Sequence, residues 1–515
     1  MSSDEDVPRQ FNVASYFVDR NLDEGAGDRV ALIGTDRTTT YRELAELVNR
    51  IGNVLVELGV RRGDRVLLAL ADSVEFVATW YAVQKIGAVS AEVYTFLPAK
   101  DFGYYLRYTE ARIVVVDTDT LPRMRSAATE ETRLLVVGSD WEPRERELSF
   151  ADLVAAAPTE LTAAPTGRDE VTIWKFTTGS TGAPKACPHP TSSPLRSFRG
   201  YARGVLDIRA EDIVLPVPKL FFGYARDLAA LFPFGVGAAG IVFPDRSTPE
   251  RIFELIATHR PTILVNVPTM MSAMIAHPAD ADLRCLRLAT SAGETLPAEL
   301  LAKWHGRFGI EVLDGIGSSE AYHIYISNRP GKVRAGSAGQ VVPGYRAEVT
   351  DELGAALPAG ETGVLEVTGP TTATGYWGDE RRSAETFRGD TVRTGDLFRR
   401  DEDGYFYYQG RTDDLLKVGG VWVAPSEIEH CLIGHPDVLE CVVLGYAQDG
   451  LVLPKAHVTL RAGATVTSGE LQAFVKARLS PHKYPRAVVF HPELPKTASG
   501  KIDRRALRGN EQSNP

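Results

Sequence analysis

The stretch "KFTTGSTGAPK" gathers small and hydroxylated residues immediately before a lysine. The segment "VTIWKF" just ahead of it is a predicted strand, and loops at the ends of parallel strands are where such sheets bind ligands. Glycines let backbone N–H groups turn toward an anion, while hydroxyls and an ammonium add donors. Together they would suit a polyphosphate, although a flexible turn-rich loop is the alternative. The residues concerned are Thr177, Thr178, Gly179, Ser180, Thr181, Gly182 and Lys185.

The loop differs from a Walker A sequence, which reads G-x-x-x-x-G-K-[ST]. Pro184 stands in place of the second glycine, and Ala186 stands in place of the final hydroxyl. Downstream, Pro188 and Pro190 stiffen the stretch "KACPHP", and they enclose His189, whose role stays open.

The elements that would position this loop alternate between helices and buried strands. Residues 40–58 have apolar residues at helical spacing and a possible capping box of Thr40 and Glu43. "DRVLLAL", "ARIVVVD" and "RLLVVGS" are typical of buried strands, and "SVEFVATWYAVQKIG" is typical of a helix. This alternation predicts an α/β fold with a largely parallel sheet covered by helices on both faces.

The pattern changes along the chain in a way that predicts two domains. Residues 1–412 form a large N-terminal domain of parallel α/β sheets, with a β-rich subdomain over about 335–412 where short strands alternate with Gly, Pro and acidic turns. We place the boundary near residues 412–413. A small α+β domain over 413–508 follows, with helices near 426–432 and 471–479 and strands at 441–444 and 487–490. A polar tail, 509–515, ends the chain.

Composition excludes several classes of protein. The 515 residues carry a formal charge of −10, which argues against general binding to nucleic acid or to an anionic membrane. No apolar run is long enough to span a membrane, and the acidic N-terminus is no signal peptide. The four cysteines lack the spacing of a zinc site or disulfide framework, so we expect a cytoplasmic protein.

Several spaced motifs together resemble the adenylate-forming superfamily, which includes acyl- and aryl-CoA synthetases. In the family's order, these are "TTGSTGAPK", "SAGETLP", "DGIGSSE", "RTGDLF", "GRTDDLLKVGG" and "PKTASGKIDRRALR". The resemblance covers roughly residues 10 to 508. "KLFFGYARD" and "DGIGSSEAYHIYISNRPGKVRAGSAGQVVPGY" are most similar to the versions in benzoate-type CoA ligases.

The resemblance implies a role for each motif in forming an acyl-adenylate from a carboxylic acid and ATP. Lys501 would be the C-terminal catalytic lysine, Lys185 and the loop would hold the phosphates, and Glu320 would hold Mg²⁺. Asp396 and Arg411 would lie near the ribose. The adenine and the acyl phosphate would meet Ser291, Ala292, Gly293, Glu294, Asp314, Gly315, Ile316, Gly317, Ser318 and Ser319. Taken singly, Lys501 could be a surface cation, Glu320 a helix cap and Asp396 a turn residue.

A second reaction step would use the C-terminal domain differently. The resemblance implies rotation about a hinge at Asp413, which removes Lys501 and brings in the "KVGGVWV" loop to form a channel for a thiol. In this loop, Gly419 and Gly420 would let the backbone approach the pantetheine arm of CoA, beside Lys417. A tight turn between two strands is the alternative and is compatible with that role.

The substrate should be a small aromatic carboxylic acid. The resemblance places its pocket at Phe222, Gly223, Tyr224, Ala225, Arg226, Asn266 and His323. Ordinary core packing is the alternative, and for Phe221 and Phe222 it is the preferred interpretation. Benzoate-type enzymes have small or apolar residues where this chain has Arg226 and Asp227, so one hypothesis is recognition of a hydroxyl or amino group on the ring. The alternative is that Arg226 and Asp227 pair with each other or with solvent.

The sequence therefore predicts an AMP-forming aryl acid–CoA ligase that uses ATP, Mg²⁺ and CoA. Two alternatives stay open: an adenylating enzyme that passes the acyl group to an amine, hydroxyl, nitrite-like or carrier-protein acceptor, and a non-catalytic nucleotide-binding protein. We expect a monomer or homodimer without nucleic-acid or membrane partners.

Overall fold

A computed structural model describes residues 7–178, 183–418, 421–448, 451–480, 483–496 and 502–512. Its α-helices are α1 (Arg20–Asp23), α2 (Tyr41–Glu57), α3 (Val74–Lys85), α4 (Ala99–Thr109), α5 (Leu121–Ala127), α6 (Phe150–Ala156), α7 (Ser193–Ser197), α8 (Gly223–Ala230), α9 (Pro249–His259), α10 (Pro268–Ala276), α11 (Ala298–Phe308), α12 (Glu380–Thr386), α13 (Pro425–Ile433), α14 (Ser468–Lys476) and α15 (Arg504–Gln512). Short π or 3₁₀ helices cover Ser15–Asp19, Phe198–Arg203, Pro233–Val236 and Thr412–Asp414.

The strands are β1 (Val30–Ile33), β2 (Thr38–Thr40), β3 (Arg65–Ala69), β4 (Val89–Glu92), β5 (Ile113–Asp117), β6 (Arg133–Val137), β7 (Glu147–Ser149), β8 (Val171–Thr178), β9 (Pro184–Pro190), β10 (Ile213–Pro216), β11 (Ala239–Ile241), β12 (Ile263–Asn266), β13 (Leu288–Ser291), β14 (Val312–Gly317), β15 (Ile324–Ser327), β16 (Gln340–Val341), β17 (Arg346–Thr350), β18 (Thr362–Thr368), β19 (Phe387–Arg388), β20 (Thr391–Arg400), β21 (Phe406–Arg411), β22 (Leu416–Val418), β23 (Val421–Val423), β24 (Val438–Gln448), β25 (Leu451–Leu460) and β26 (Ala487–Phe490).

Two large sheets have parallel centres. The nine-stranded sheet has the order β16-β15-β14-β13-β12-β10-β11-β1-β2, and its strands from β14 to β1 are parallel. The seven-stranded sheet has the order β7-β6-β5-β3-β4-β8-β9, and only the pairing of β8 with β9 is antiparallel. The predicted α/β class with largely parallel sheets is therefore confirmed.

Local sequence accounts for the elements of these sheets. Helix α2 begins with a complete capping box, in which the Thr40 hydroxyl accepts from Glu43 N and the Glu43 carboxylate accepts from Thr40 N. Strand β3 is buried along most of its length, as expected of a strand covered on both faces. Apolar residues at alternate strand positions pack with neighbouring helices into cores, one around Trp174 in the seven-stranded sheet and one around Trp304 beside the nine-stranded sheet.

The later part of the chain is β-rich and then mixed. Strands β17 to β21 form one five-stranded sheet, β22 pairs with β23, and β24 to β26 form a three-stranded sheet. The predicted helices near 426–432 and 471–479 correspond to α13 and α14, although α14 begins and ends three residues earlier than predicted.

Backbone contacts divide the chain into two compact units. Unit 1 contains Met1–Ala347 and Val367–Arg393, and unit 2 contains Glu348–Glu366 and Thr394–Pro515. These compact units divide the chain within the β-rich region. The domain boundary near residues 412–413 stays a prediction. Among the described helices, none has both the length and the apolar character required to cross a membrane.

Candidate active site

Most of the predicted site segments in unit 1 lie where neighbouring parallel strands end. Strands β10, β12, β13 and β14 are adjacent in the nine-stranded sheet. The segment that begins at Phe222 follows β10, Asn266 ends β12, Ser291 ends β13, and Asp314 lies in β14. Because the carboxyl ends of parallel strands share one edge, the fold brings four separately predicted segments together.

The predicted phosphate loop connects β8 and β9, the two strands of a β-hairpin. Thr177 at the end of β8 lies opposite Lys185 in β9, in the antiparallel register that joins the two strands. The residues between the strands, Gly179, Ser180, Thr181 and Gly182, lie outside the described residues, and only the backbone of Thr178 is described. The hairpin therefore places the loop's first hydroxyl and its lysine on facing positions.

The unusual prolines of "KACPHP" fit the outer side of strand β9. This strand ends the seven-stranded sheet, and Ala186 O and Pro188 O point away from β8, where they accept hydrogen bonds from Trp377 N (3.0 Å) and Thr374 N (3.0 Å). In an antiparallel pair, alternate residues face the partner strand. Pro188 thus lacks an N–H at a position that does not bond to β8, and the ladder loses nothing.

A tightly held turn over residues 318–323 follows β14. Ser319 donates its hydroxyl to Phe176 O at 3.1 Å, which links the turn to strand β8. Successive backbone carbonyls of the turn are paired with donors from elsewhere in unit 1: Ser319 O with His189 Nε2 (2.6 Å), Glu320 O with Ala373 N (2.8 Å), Ala321 O with Thr371 Oγ1 (2.8 Å), and Tyr322 O with Lys175 Nζ (2.6 Å). His189, whose role the sequence left open, therefore supports this turn.

Glu320 and Lys185 are connected through a residue that sequence reasoning missed. The Tyr376 hydroxyl donates to Glu320 Oε1 at 2.8 Å, and Lys185 Nζ lies 4.1 Å from the centroid of the Tyr376 ring. Burial, and then the neighbouring Glu320 carboxylate, raise the pKa of Tyr376, so its hydroxyl stays a donor. The stretch "TGYW" lies close after Thr371 in the sequence, but only the fold brings it to Glu320.

The predicted aryl segment divides into an aromatic cluster and a buried start of helix. Phe221 and Phe222 are half-buried and pack with Tyr94, with ring centroids 4.6 and 5.4 Å from that of Tyr94, and contact of Phe222 with the substrate stays a prediction. Helix α8 then begins at Gly223, and the Tyr224 hydroxyl shares a hydrogen bond with Thr290 Oγ1 at 2.7 Å. Ala225, next in the helix, is buried.

Arg226 and Asp227 form buried ion pairs, which is the alternative that the sequence left open. Arg226 donates to Asp227 Oδ1 (2.7 Å) and to Glu92 Oε1 (2.6 Å), and Lys175 Nζ donates to Asp227 Oδ2 (2.7 Å). Arg226 also lies over the Trp80 ring, 4.5 Å from its centroid. Contact of Arg226 with a ring substituent stays a prediction. Glu92, the second partner of Arg226, and Lys175, the second partner of Asp227, gave no signal in the sequence.

The buried charges have unequal surroundings. Burial alone would raise the pKa of Asp227, but two cations, Arg226 and Lys175, outweigh it and lower that pKa to about 2. Lys175 has one carboxylate partner and a cationic neighbour, so burial prevails and lowers its pKa to about 8. Together with Glu92, these three side chains form a network of two basic and two acidic groups.

His323 is a neutral, buried ring among other rings. Its centroid lies 4.9 Å from that of Phe232, 5.5 Å from Tyr201 and 5.8 Å from Tyr224. Burial lowers the pKa of His323 to about 3. Nε2 contacts Tyr224 O at 3.3 Å, whereas Nδ1 is buried without a hydrogen-bond partner in the described part of the chain.

The remaining predicted residues of unit 1 lie at or near the ends of β12, β13 and β14. Burial raises the pKa of Asp314, and the Ser291 hydroxyl partly opposes this shift. Glu294 accepts from Thr269 N (3.1 Å) at the start of α10, so its carboxylate supports that helix. The Asn266 amide nitrogen donates only to a weak acceptor among the described residues, Met274 Sδ at 3.5 Å. Ala292, Gly293, Gly315, Ile316, Gly317 and Ser318 lie at the ends of β13 and β14.

In unit 2, the two predicted ribose residues lie opposite each other. Asp396 in β20 is the register partner of Arg411 in β21, and Arg411 Nη1 lies 3.0 Å from Asp396 Oδ1. Lys417 lies in β22, which pairs with β23, so strands do flank Gly419 and Gly420. Those glycines and Lys501 lie outside the described residues, and only the backbone of Asp413 and Lys417 is described.

Comparison with known proteins agrees with this geometry. Profiles described as AMP-binding enzyme and AMP-binding enzyme C-terminal domain match residues 18–377 and 427–501. The chain is 40% identical to a benzoate–CoA ligase of Thauera aromatica, over 98% of this chain and 96% of the relative. It is 37% identical to a 4-hydroxybenzoate–CoA/benzoate–CoA ligase of Rhodopseudomonas palustris, over 97% of this chain and 94% of the relative.

A solved structure is similar throughout its length. The anthranilate CoA ligase AuaEII, crystallised with anthranoyl-AMP, superposes with a TM-score of 0.94 and 36% identity, covering 100% of this chain and 99% of that chain. The resemblance inferred from the motifs is confirmed, and the chain belongs to the AMP-binding enzyme family.

Proposed function

We propose that this protein activates a small aromatic carboxylic acid with ATP and then transfers the aryl group to CoA. The first step forms an aryl-adenylate and releases pyrophosphate, and the second forms an aryl-CoA thioester and releases AMP. One observation carries this proposal: the chain matches benzoate- and hydroxybenzoate-activating ligases over nearly its whole length, and its fold brings the corresponding segments to one sheet edge.

The nucleotide would be held mainly by donors that need no covalent chemistry. Lys185 and the hydroxyls of the hairpin loop would bind the β- and γ-phosphates, and Asp396 would accept hydrogen bonds from the ribose. Attack of the carboxylate on the α-phosphorus places charge on the phosphate oxygens, and fixed cations lower that barrier. Lys501 would contribute the cation that bridges the α-phosphate and the carboxylate.

Glu320 fits a role as a magnesium ligand. Tyr376 holds its Oε1, whereas Oε2 makes no hydrogen bond with any described residue. Mg²⁺ is commonly bound by one or two carboxylates, with waters and substrate phosphates completing its shell, so one anchored glutamate is sufficient. When bound, Mg²⁺ would neutralise phosphate charge. This chain's own contribution is to hold the Glu320 carboxylate in one orientation.

We further infer that the preferred ring carries a hydroxyl or amino group. Support comes from the buried Nδ1 of His323, which has no partner among the described residues, and from Asn266, whose amide nitrogen meets only a thioether. A buried polar atom left unpaired is costly, so a substrate that pairs with it is favoured over one that does not. His323 and Asn266 therefore replace Arg226 as the main candidates for recognising a ring substituent, because the guanidinium of Arg226 is already paired.

Two coupled assays test the proposal. Pyrophosphate release should depend on an aromatic acid, with hydroxy- or aminobenzoates turned over at least about tenfold more efficiently than benzoate. Addition of CoA should give the corresponding thioester, detected by mass. Equal rates across the acid panel would contradict the inferred ring preference alone. Pyrophosphate release without a thioester would instead favour a non-CoA acceptor.

A further inference from the structure

Lys175 connects three parts of the site through one ammonium group. It lies in β8, two positions before Thr177, and its side chain is only 5% exposed. Its Nζ donates to Asp227 in helix α8 at 2.7 Å and to Tyr322 O in the turn over 318–323 at 2.6 Å. The strand that leads to the phosphate loop is thereby tied to the aryl helix and to the turn.

The backbone is closely packed around the Lys175 ammonium. A Cβ added to Gly223 would lie 2.5 Å from Lys175 Nζ, so the first turn of α8 touches the lysine directly. Tyr322 has φ of 75°, in the left-handed region that bulky residues rarely adopt. A hydrogen bond to its carbonyl and the ammonium 3.6 Å from its ring centroid hold the residue in this conformation.

The ion-pair network around Lys175 is a weak source of net folding stability. Glu92, Arg226, Asp227 and Lys175 are all buried, and removing charges from water costs much of what their attraction returns. In proteins, replacing such a buried network by well-packed apolar residues is often neutral or stabilising. The network is better explained by the orientation it gives to Tyr322 O and to the start of helix α8 than by a contribution to folding stability.

We propose that Lys175 is a positioning residue for the aryl-acid site. By holding Tyr322 O, it sets the turn that carries Glu320 and His323 relative to the start of α8. His323 directly follows the tethered carbonyl, so this hydrogen bond orients it, whereas Glu320 is held in addition by Ala373 N and Tyr376. This inference rests on the proposed function, because it assigns Lys175 to the site at which that reaction occurs.

A matched pair of variants tests the role of the lysine. Lys175→Met removes the ammonium with little change in volume. Lys85→Met is the control, because Lys85 is also buried in unit 1 and pairs with Asp19 at 2.8 Å, away from the site. We expect a comparable loss of thermal stability in both. Only Lys175→Met should raise the KM for the best aryl acid, by about tenfold or more, with the KM for ATP changed less than about threefold.

A double variant separates positioning from charge balance. Lys175→Met/Asp227→Asn leaves Glu92 and Arg226 as a balanced pair, so thermal stability should recover relative to Lys175→Met. The KM for the aryl acid should stay raised, because Tyr322 O still lacks its donor. Recovery of both quantities together would show that Lys175 only balances charge, and would overturn the proposal.

A crystal structure of Lys175→Met provides a readout that does not depend on activity. We expect Tyr322 to leave its left-handed conformation and its carbonyl to change direction. An unchanged Tyr322, or an aryl-acid KM within about threefold of the parent, would also overturn the positioning role. Failure of the parent protein to release pyrophosphate with any aromatic acid would contradict the proposed function instead, and the Tyr322 geometry would still decide the structural part.

Discussion

At the scale of single residues, Tyr376 is the clearest example of a functional candidate found only from the structure. Its hydroxyl fixes one oxygen of Glu320, and its ring lies beside the ammonium of Lys185. Both neighbours came from motifs, whereas Tyr376 came from a separate stretch that the fold places against them. Its contribution should be orientation of a carboxylate rather than direct contact with the acid.

Tyr376→Phe should therefore weaken the response to Mg²⁺. Loss of a hydrogen bond to a charged group costs about 1.5 kcal/mol or more, so the Mg²⁺ concentration for half-maximal pyrophosphate release should rise roughly tenfold. Tyr41→Phe is a suitable control, since its buried hydroxyl donates to Ala238 O far from these segments. An identical Mg²⁺ response in Tyr376→Phe and the parent would exclude this role.

Asp396 offers a test of nucleotide recognition. Replacing Asp396 with Asn should raise the KM for ATP about tenfold, because an amide accepts hydrogen bonds from the ribose less strongly than a carboxylate. The parent should also prefer ATP over 2′,3′-dideoxy-ATP, and the variant should lose most of that preference. Glu402→Gln, an exposed change in the same unit, is the control. Retained discrimination in Asp396→Asn would place the ribose elsewhere.

At the scale of elements, features set by neighbouring residues were predictable from the sequence, whereas pairings between distant residues were not. The capping box of α2 and the buried strand β3 follow from neighbouring residues, so both were predictable. The ion pair of Asp227 with Lys175 was not, because Lys175 lies in a distant strand of the seven-stranded sheet and gives no local signal. The pairing of Arg226 with Asp227 was the alternative that the sequence offered, and a substituent role for Arg226 stays a prediction.

Strand β9 and the turn after β14 carry two neutral histidines that should make the protein sensitive to acid. Burial, the largest cause in each, lowers the pKa of His189 and of His323 to about 3. Unfolded histidine titrates near about 6.5, so between these values the unfolded chain binds two protons that the folded chain does not. The free energy of unfolding therefore falls as pH is lowered through this window. Asp72, whose pKa burial raises to about 6, acts in the opposite direction below that pH.

His189→Gln tests this dependence. Each buried neutral histidine should cost about 1.6 kcal/mol of unfolding free energy between pH 6.5 and pH 5, because the unfolded ring is half protonated at pH 6.5 and almost fully protonated at pH 5. The variant should lose about that much less than the parent over this range, measured by urea unfolding at each pH. The exposed His305→Gln should behave as the parent does. Equal acid sensitivity in His189→Gln and the parent would contradict a neutral His189.

At the scale of the whole molecule, the proposed reaction would bring Lys501, near the end of the chain, to a nucleotide bound by other segments. Lys501→Ala should reduce acid-dependent exchange of pyrophosphate into ATP by at least about 100-fold, as expected when a cation at the reacting phosphate is removed. Thioester formation from supplied aryl-adenylate and CoA should be much less affected.

Lys496→Ala is the matched control for that experiment. Lys496 belongs to the same motif, but its ammonium pairs with Glu440 at 2.9 Å on an exposed surface of unit 2. Exchange in this variant should stay close to that of the parent. Equally fast exchange in Lys501→Ala and the parent would remove the central cation from the proposed chemistry.

The prolines of β9 also matter while the protein is being made. The outer edge of this strand is complete long before the segment with Thr374 and Trp377, which covers it, leaves the ribosome. An uncovered edge invites strands of other nascent chains to add to it, and proline withholds the donors that such addition needs. We therefore expect Pro184 and Pro188 to reduce pairing of this edge with other nascent chains until the segment with Thr374 and Trp377 has been synthesised and covers it.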